Sequence, residues 1–103
     1  MKHRPIAALA AATALAAAWP AAAQEARYLA GNCANCHGTD GHSTGGGGMP
    51  GLAGLSRTYF VEQMNAFRSG ARQATIMHQI AKGYSEAQIA ALADHFAAQK
   101  SAK

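Results

Sequence analysis

A chain of 103 residues with a formal charge of +4 has room for one small domain and no second. Part of its basic excess, nine Lys and Arg against five Asp and Glu, sits in the first four residues; the rest forms no dense basic stripe, which argues against a nucleic-acid partner. Its two cysteines, separated by two residues, would close too small a loop to brace so small a core as a disulfide.

In chain order, Met1 to Arg4 is a short basic end, and Ile6 to Ala18 is apolar apart from Thr13. Trp19-Pro20 breaks that run, and Ala21-Ala22-Ala23 offers small residues ahead of Gln24. These are the three parts of a cleavable secretory signal peptide, so residues 1–23 are expected to be removed on export to the periplasm. The run is short and Ala-rich for a bilayer span, so no stable membrane anchor is expected after cleavage. Residues 24–103 then form one domain, with seven basic and five acidic side chains.

Gln24 to Cys33 reads as a short Ala-rich helix with Tyr28 and Leu29 as its larger apolar residues. Gly38 to Gly54 holds eight of the eleven glycines and reads as a loop that needs unusual backbone angles or close approach. Ser56 is a candidate N-cap for a second helix, whose Phe60, Met64 and Phe67 form one apolar stripe before Ser69-Gly70 ends it. A shorter helical piece covers about Ala74 to Lys82, with Ile76, Met77 and Ile80, and Gly83 closes it. The last helix is the clearest: Ser85 and Gln88 make a capping box, and Ile89, Leu92, Ala93 and Phe96 fall on one face. No segment alternates with period two, so the fold class is all-α.

The chemistry lies in Cys33-Ala34-Asn35-Cys36-His37, the attachment pattern of a c-type haem. Thiols three residues apart, on one turn of helix, can add to the two vinyl groups, and the next residue, His37, is placed to ligate the iron. A thioredoxin-like pair needs a preceding strand, which is absent, and a zinc site needs a second close ligand pair. The haem would also complete a core that a domain this small cannot fill alone. The candidates for the iron's sixth position are Met49, Met64, Met77, His42, His78 and His95. Met64 reads better as core, on the Phe60/Phe67 stripe. Met77 is preferred because forty residues and a helix separate it from His37, enough for the chain to wrap the haem. Met49, His78 and an open site remain alternatives, while His42 and His95 read as solvent-facing.

"CANCHGTDG", "MPGLAGL" and the stretch from "LAGLSRTYFVEQMNAFRSGAR" to "TIMHQIAKGYSEAQIAALADHFAAQ" together resemble the class I cytochromes c over roughly Ala26 to Gln99. They are similar to the periplasmic subclass that includes the cytochrome subunit of flavocytochrome c sulfide dehydrogenase. The resemblance implies the cytochrome c fold, with first and last helices crossing near a right angle around one haem c, Ala30 or Gly31 allowing close approach to Phe96. It implies Met77 as the sixth ligand, Pro50 as carbonyl acceptor for the His37 ring and Leu52 packed on the haem. Tyr59 and Arg72 become candidates for the haem propionates, Arg72 reading equally as a solvated helix-end charge. The function implied is electron transfer by a non-enzymatic carrier, with redox proteins as partners and a sulfide-oxidising flavoprotein as the narrower possibility. An open sixth site would instead make a haem sensor or catalyst.

Overall fold

The computed structural model describes residues 21–101. The expected signal peptide lies almost wholly outside them; of that segment only residues 21–23 are described, already helical. Among the described residues four α-helices occur in order: α1 Ala21–His37, α2 Arg57–Ser69, α3 Met77–Lys82 and α4 Glu86–Ala97. The described residues contain no strand, and no described helix is long and apolar enough to cross a membrane.

Each boundary has a local cause. Helix α1 continues four residues past the expected Cys33 and stops only where Gly38 takes φ of +83°. The whole attachment pattern is therefore helical, with Cys33, Cys36 and His37 on its last turns. At α2, the Ser56 hydroxyl accepts from the Tyr59 N–H at 3.2 Å, and Gly70 ends the helix at φ of +82°. Helix α3 begins at Met77 rather than Ala74, because Ile76 before it has φ of −141° and supplies no side-chain cap. The capping box of α4 forms in both directions, Ser85 Oγ accepting from Gln88 N–H at 3.1 Å and Gln88 Oε1 accepting from Ser85 N–H at 2.9 Å.

The core forms where α1 and α2 pack on α4. Ala30 of α1, Phe60 and Met64 of α2 and Ala81 of α3 surround Ile89, Leu92, Ala93 and Phe96 of α4. Phe60 and Phe96 stack tilted, with ring centroids 5.6 Å apart. Of the two small residues expected at the α1–α4 contact, Ala30 is buried, whereas a Cβ built at Gly31 would meet nothing within 4 Å. Tyr28, expected among the larger apolar residues of α1, is 83% exposed; the helix instead buries Ala26 and Ala30, four residues apart on one face.

The glycine-rich loop is less slack than its composition suggests. It makes two short 3₁₀ turns, Thr39–Gly41 and Gly46–Gly48. The Gly41 carbonyl accepts from the N–H groups of Leu52 (2.8 Å) and Ala53 (3.1 Å), and Gly54 N–H donates to the Phe96 carbonyl at 2.9 Å. These bonds fold the loop back on itself and dock its exit on α4.

Candidate functional site

His37 is the last residue of α1 and is buried. Its Nδ1 lies 2.7 Å from the Pro50 carbonyl oxygen, thirteen residues along the loop. A carbonyl can only accept, so Nδ1 carries a proton, and in the neutral ring Nε2 keeps its lone pair. This is the tautomer a metal-ligating imidazole needs, and the bond to Pro50 would both orient the ring and strengthen it as a donor. The loop bonds of Gly41 to Leu52 and Ala53 hold Pro50 in reach of that nitrogen.

Cys33 is half-buried against the core and Cys36 exposed, and neither is in a disulfide. Burial pushes the Cys33 thiol above its ordinary 9.0, against a smaller lowering by its own backbone hydrogen bond. Cys33, Cys36 and His37 offer two thiols three residues apart beside a buried imidazole whose free nitrogen is a lone-pair donor. The chemistry of that donor set fits a covalent haem. Several large apolar side chains stay exposed on the flanking segments: Met49 beside Pro50, Ile76 beside Met77, and Ile80. Among the described residues, no group of three or more His, Cys, Asp and Glu could hold a metal ion by itself.

The other sequence candidates fall in different places. Met77 opens α3, half-buried and packed against the core. Leu52 also packs half-buried against the core, while Tyr59 is exposed on α2. Met64 is buried core, and Met49 is exposed with its carbonyl accepting from the Ser43 hydroxyl at 2.7 Å. Arg72 is already engaged: its Nη1 donates to Gln63 Oε1 at 2.6 Å and its guanidinium lies 4.6 Å from the Phe67 ring centroid.

Of the two histidines expected to face solvent, His42 does and His95 does not. The His95 side chain is 11% exposed, edge-on to Phe96, with Nε2 3.4 Å from Asp40 Oδ1. His42 is exposed but engaged, with Nε2 2.7 Å from the Lys100 carbonyl and Nδ1 3.2 Å from that of Thr39. It thereby ties the loop to the C-terminal residues. Sequence reasoning also missed Gly41, where a Cβ would lie 2.8 Å from Ala53 N and 2.9 Å from Phe96 Cδ1. Nothing in "GTDG" separates that glycine from its neighbours.

Comparison with known proteins places this geometry. The sequence model of the cytochrome c family matches residues 21–99. The thiosulfate dehydrogenase electron acceptor of Thiomonas intermedia is 39% identical over 84 residues, covering 82% of this chain and 37% of the relative. The cytochrome subunit of sulfide dehydrogenase from Chlorobaculum tepidum is 35% identical over 77 residues, covering 75% of this chain and 68% of the relative. Among solved structures, reduced recombinant cytochrome c4 from Pseudomonas stutzeri superposes with a TM-score of 0.71 at 29% identity, over 81% of this chain and 50% of the other. The chain thus spans between about a third and two thirds of the length of these relatives.

Proposed function

The chain belongs to the cytochrome c family of electron-transfer proteins and carries covalently bound haem c, and from that premise we propose that it is a periplasmic electron carrier whose iron is held between His37 and Met77. The observation that carries this reading is the 2.7 Å bond from His37 to the Pro50 carbonyl, which leaves Nε2 free for the iron. Cys33 and Cys36 are the residues that would hold the haem, through thioether bonds to its vinyl groups. When bound, the haem supplies the one-electron couple of its iron. The chain's part is to fix the ligands, so that little rearranges as charge changes. Met77 contributes a thioether, which favours ferrous iron and raises the potential. Leu52 would pack on the haem, and Tyr59 and Arg72 would meet the propionates, Arg72 by exchanging its Gln63 partner. The likeness to an electron acceptor and to a cytochrome subunit supports a role as carrier or subunit rather than as an enzyme in its own right. The donor is proposed to be a sulfide-oxidising flavoprotein, supported by the likeness to a cytochrome subunit of sulfide dehydrogenase.

The test is the visible spectrum of the purified protein, oxidised and reduced. Wild type is expected to show a low-spin c-type spectrum with the weak far-red band of methionine sulfur on ferric haem. That band disappears in Met77→Ala. High-spin features in wild type, or tight carbon monoxide binding once reduced, would instead establish an open sixth site. For the partner, co-purification with flavin absorbance is expected; a cytochrome recovered alone would count against it.

A further inference from the structure

An open cleft of about 680 Å³ lies between the C-terminal end of α2 and α3, apart from the loop that carries Pro50. Four of its lining side chains are basic, Arg68, Arg72, His78 and Lys82; Ser69 and Thr75 add hydroxyls, and no Asp or Glu faces it. Local rules explain how they meet. Arg68 lies in the last turn of α2, where a cation complements the carbonyl end of the helix. Met77 and Ala81, four apart on α3, face the core; His78 and Lys82, also four apart, therefore share the adjoining face. The ligand face and the cleft face of this short helix are thus separate.

No carboxylate side chain among the described residues compensates the charge of Arg68 and Lys82 in this cleft. Among the described residues, the Arg57–Asp94 ion pair and the 3.4 Å contact of His95 with Asp40 involve none of its lining. Arg72 is fixed at the rim by Gln63 and the Phe67 ring, which leaves four of its five N–H donors unused. His78 Nδ1 is buried without a hydrogen-bond partner, so the wall contains an unmet polar atom beside the cations. Like charges gathered without counter-charge repel, and the arrangement is completed by an anion.

We propose that this cleft binds a small divalent oxyanion of the sulfate or phosphate type, gripped by Arg68 and Lys82, with the Thr75 hydroxyl completing its coordination. Two permanent cations with no carboxylate between them match a double negative charge. A guanidinium, an ammonium and a hydroxyl suit an anion with several acceptor oxygens. No basic stripe extends the cleft, so a free anion fits it better than a phosphate polymer. The site does not depend on which residue takes the iron's sixth position.

The experiment titrates the ¹⁵N-labelled, haem-loaded protein with sodium sulfate, ionic strength being held constant with sodium chloride. Saturable amide shifts are expected over residues 67–75, at His78 and at Lys82, and not around Arg27 or Arg57. The double variant R68Q/K82Q is expected to bind sulfate at least about tenfold more weakly, through loss of two charge-assisted contacts, with its visible spectrum unchanged. Shifts that rise without saturating, spread equally to Arg27 and Arg57, or persist in the double variant would overturn the site. So would an absence of shifts in the haem-loaded protein, which would mean that the cleft is closed to anions or already filled.

Discussion

Gly41 sits where the loop turns back onto α4, and two constraints meet there. Its φ of +79° lies in the left-handed region, and an added Cβ would lie 2.8 Å from both Ala53 N and Leu52 Cβ. Left-handed backbone costs an L-residue about 1–2 kcal/mol and overpacking a further 1–3 kcal/mol, so Gly41→Ala is expected to destabilise by roughly 2–5 kcal/mol. Gly47 has φ of +68° with nothing within 4 Å of a built Cβ, so Gly47→Ala should lose only the backbone term of about 1 kcal/mol. Guanidinium unfolding of the two haem-loaded variants measures the difference; equal losses would mean that the loop does not pack as described. The conspicuous glycine run thus supplies uncrowded left-handed backbone at Gly45, Gly47 and Gly48, while the packing falls on Gly38, Gly41 and Gly54 outside it. Composition shows that a loop is rich in glycine, but which glycine is irreplaceable depends on what the rest of the chain puts beside it.

At the level of helices, legibility followed the strength of the local end signals. Ser56, Ser69-Gly70 and the Ser85/Gln88 box place the ends of α2 and the start of α4 because each closes hydrogen bonds within a few residues. The end of α1 and the start of α3 were misplaced by three or four residues. Nothing near Cys33 stops a helix before Gly38, and nothing at Ala74 starts one. The haem motif and the ring–Pro50 pairing were legible, the first from spacing and the second through resemblance. The basic cleft was not, since Arg68 and the His78/Lys82 pair come from different helices and meet only in the fold. The reciprocal cap makes a quantitative expectation: Ser85→Ala should cost about 1 kcal/mol, because it leaves a helix-end N–H without its acceptor. Replacing Arg57, whose pair with Asp94 spans α2 and α4 at 2.7 Å, should change stability by less than about 0.5 kcal/mol. Both side chains of that pair are more than half exposed, so water competes for them. Thermal unfolding of both variants decides it, and a larger loss for Arg57→Ala would reverse the ranking of cap over ion pair.

The molecule as a whole is short of core. Its buried hydrophobic residues among those described number nine, and four of them are alanines. Domains of this size rarely sustain themselves on such burial without a cofactor, metal or disulfide. The haem is therefore part of the fold as well as of the chemistry, and two kinds of variant separate those parts. Cys33→Ala/Cys36→Ala removes the covalent link. It is expected to give a chain without cooperative thermal unfolding by far-ultraviolet dichroism, whereas a sigmoidal melt at the wild-type midpoint would show a self-sufficient core. Met77→Leu keeps the link and nearly the same side-chain volume where Met77 packs half-buried on the core, so repacking should cost less than about 1.5 kcal/mol. Its thioether is gone, however. The far-red band should vanish and the reduction potential fall, since sulfur ligation is what favours the ferrous state. A Met77→Leu protein with unaltered band and potential would return Met77 to the core as an ordinary packing residue and give the sixth position to another side chain.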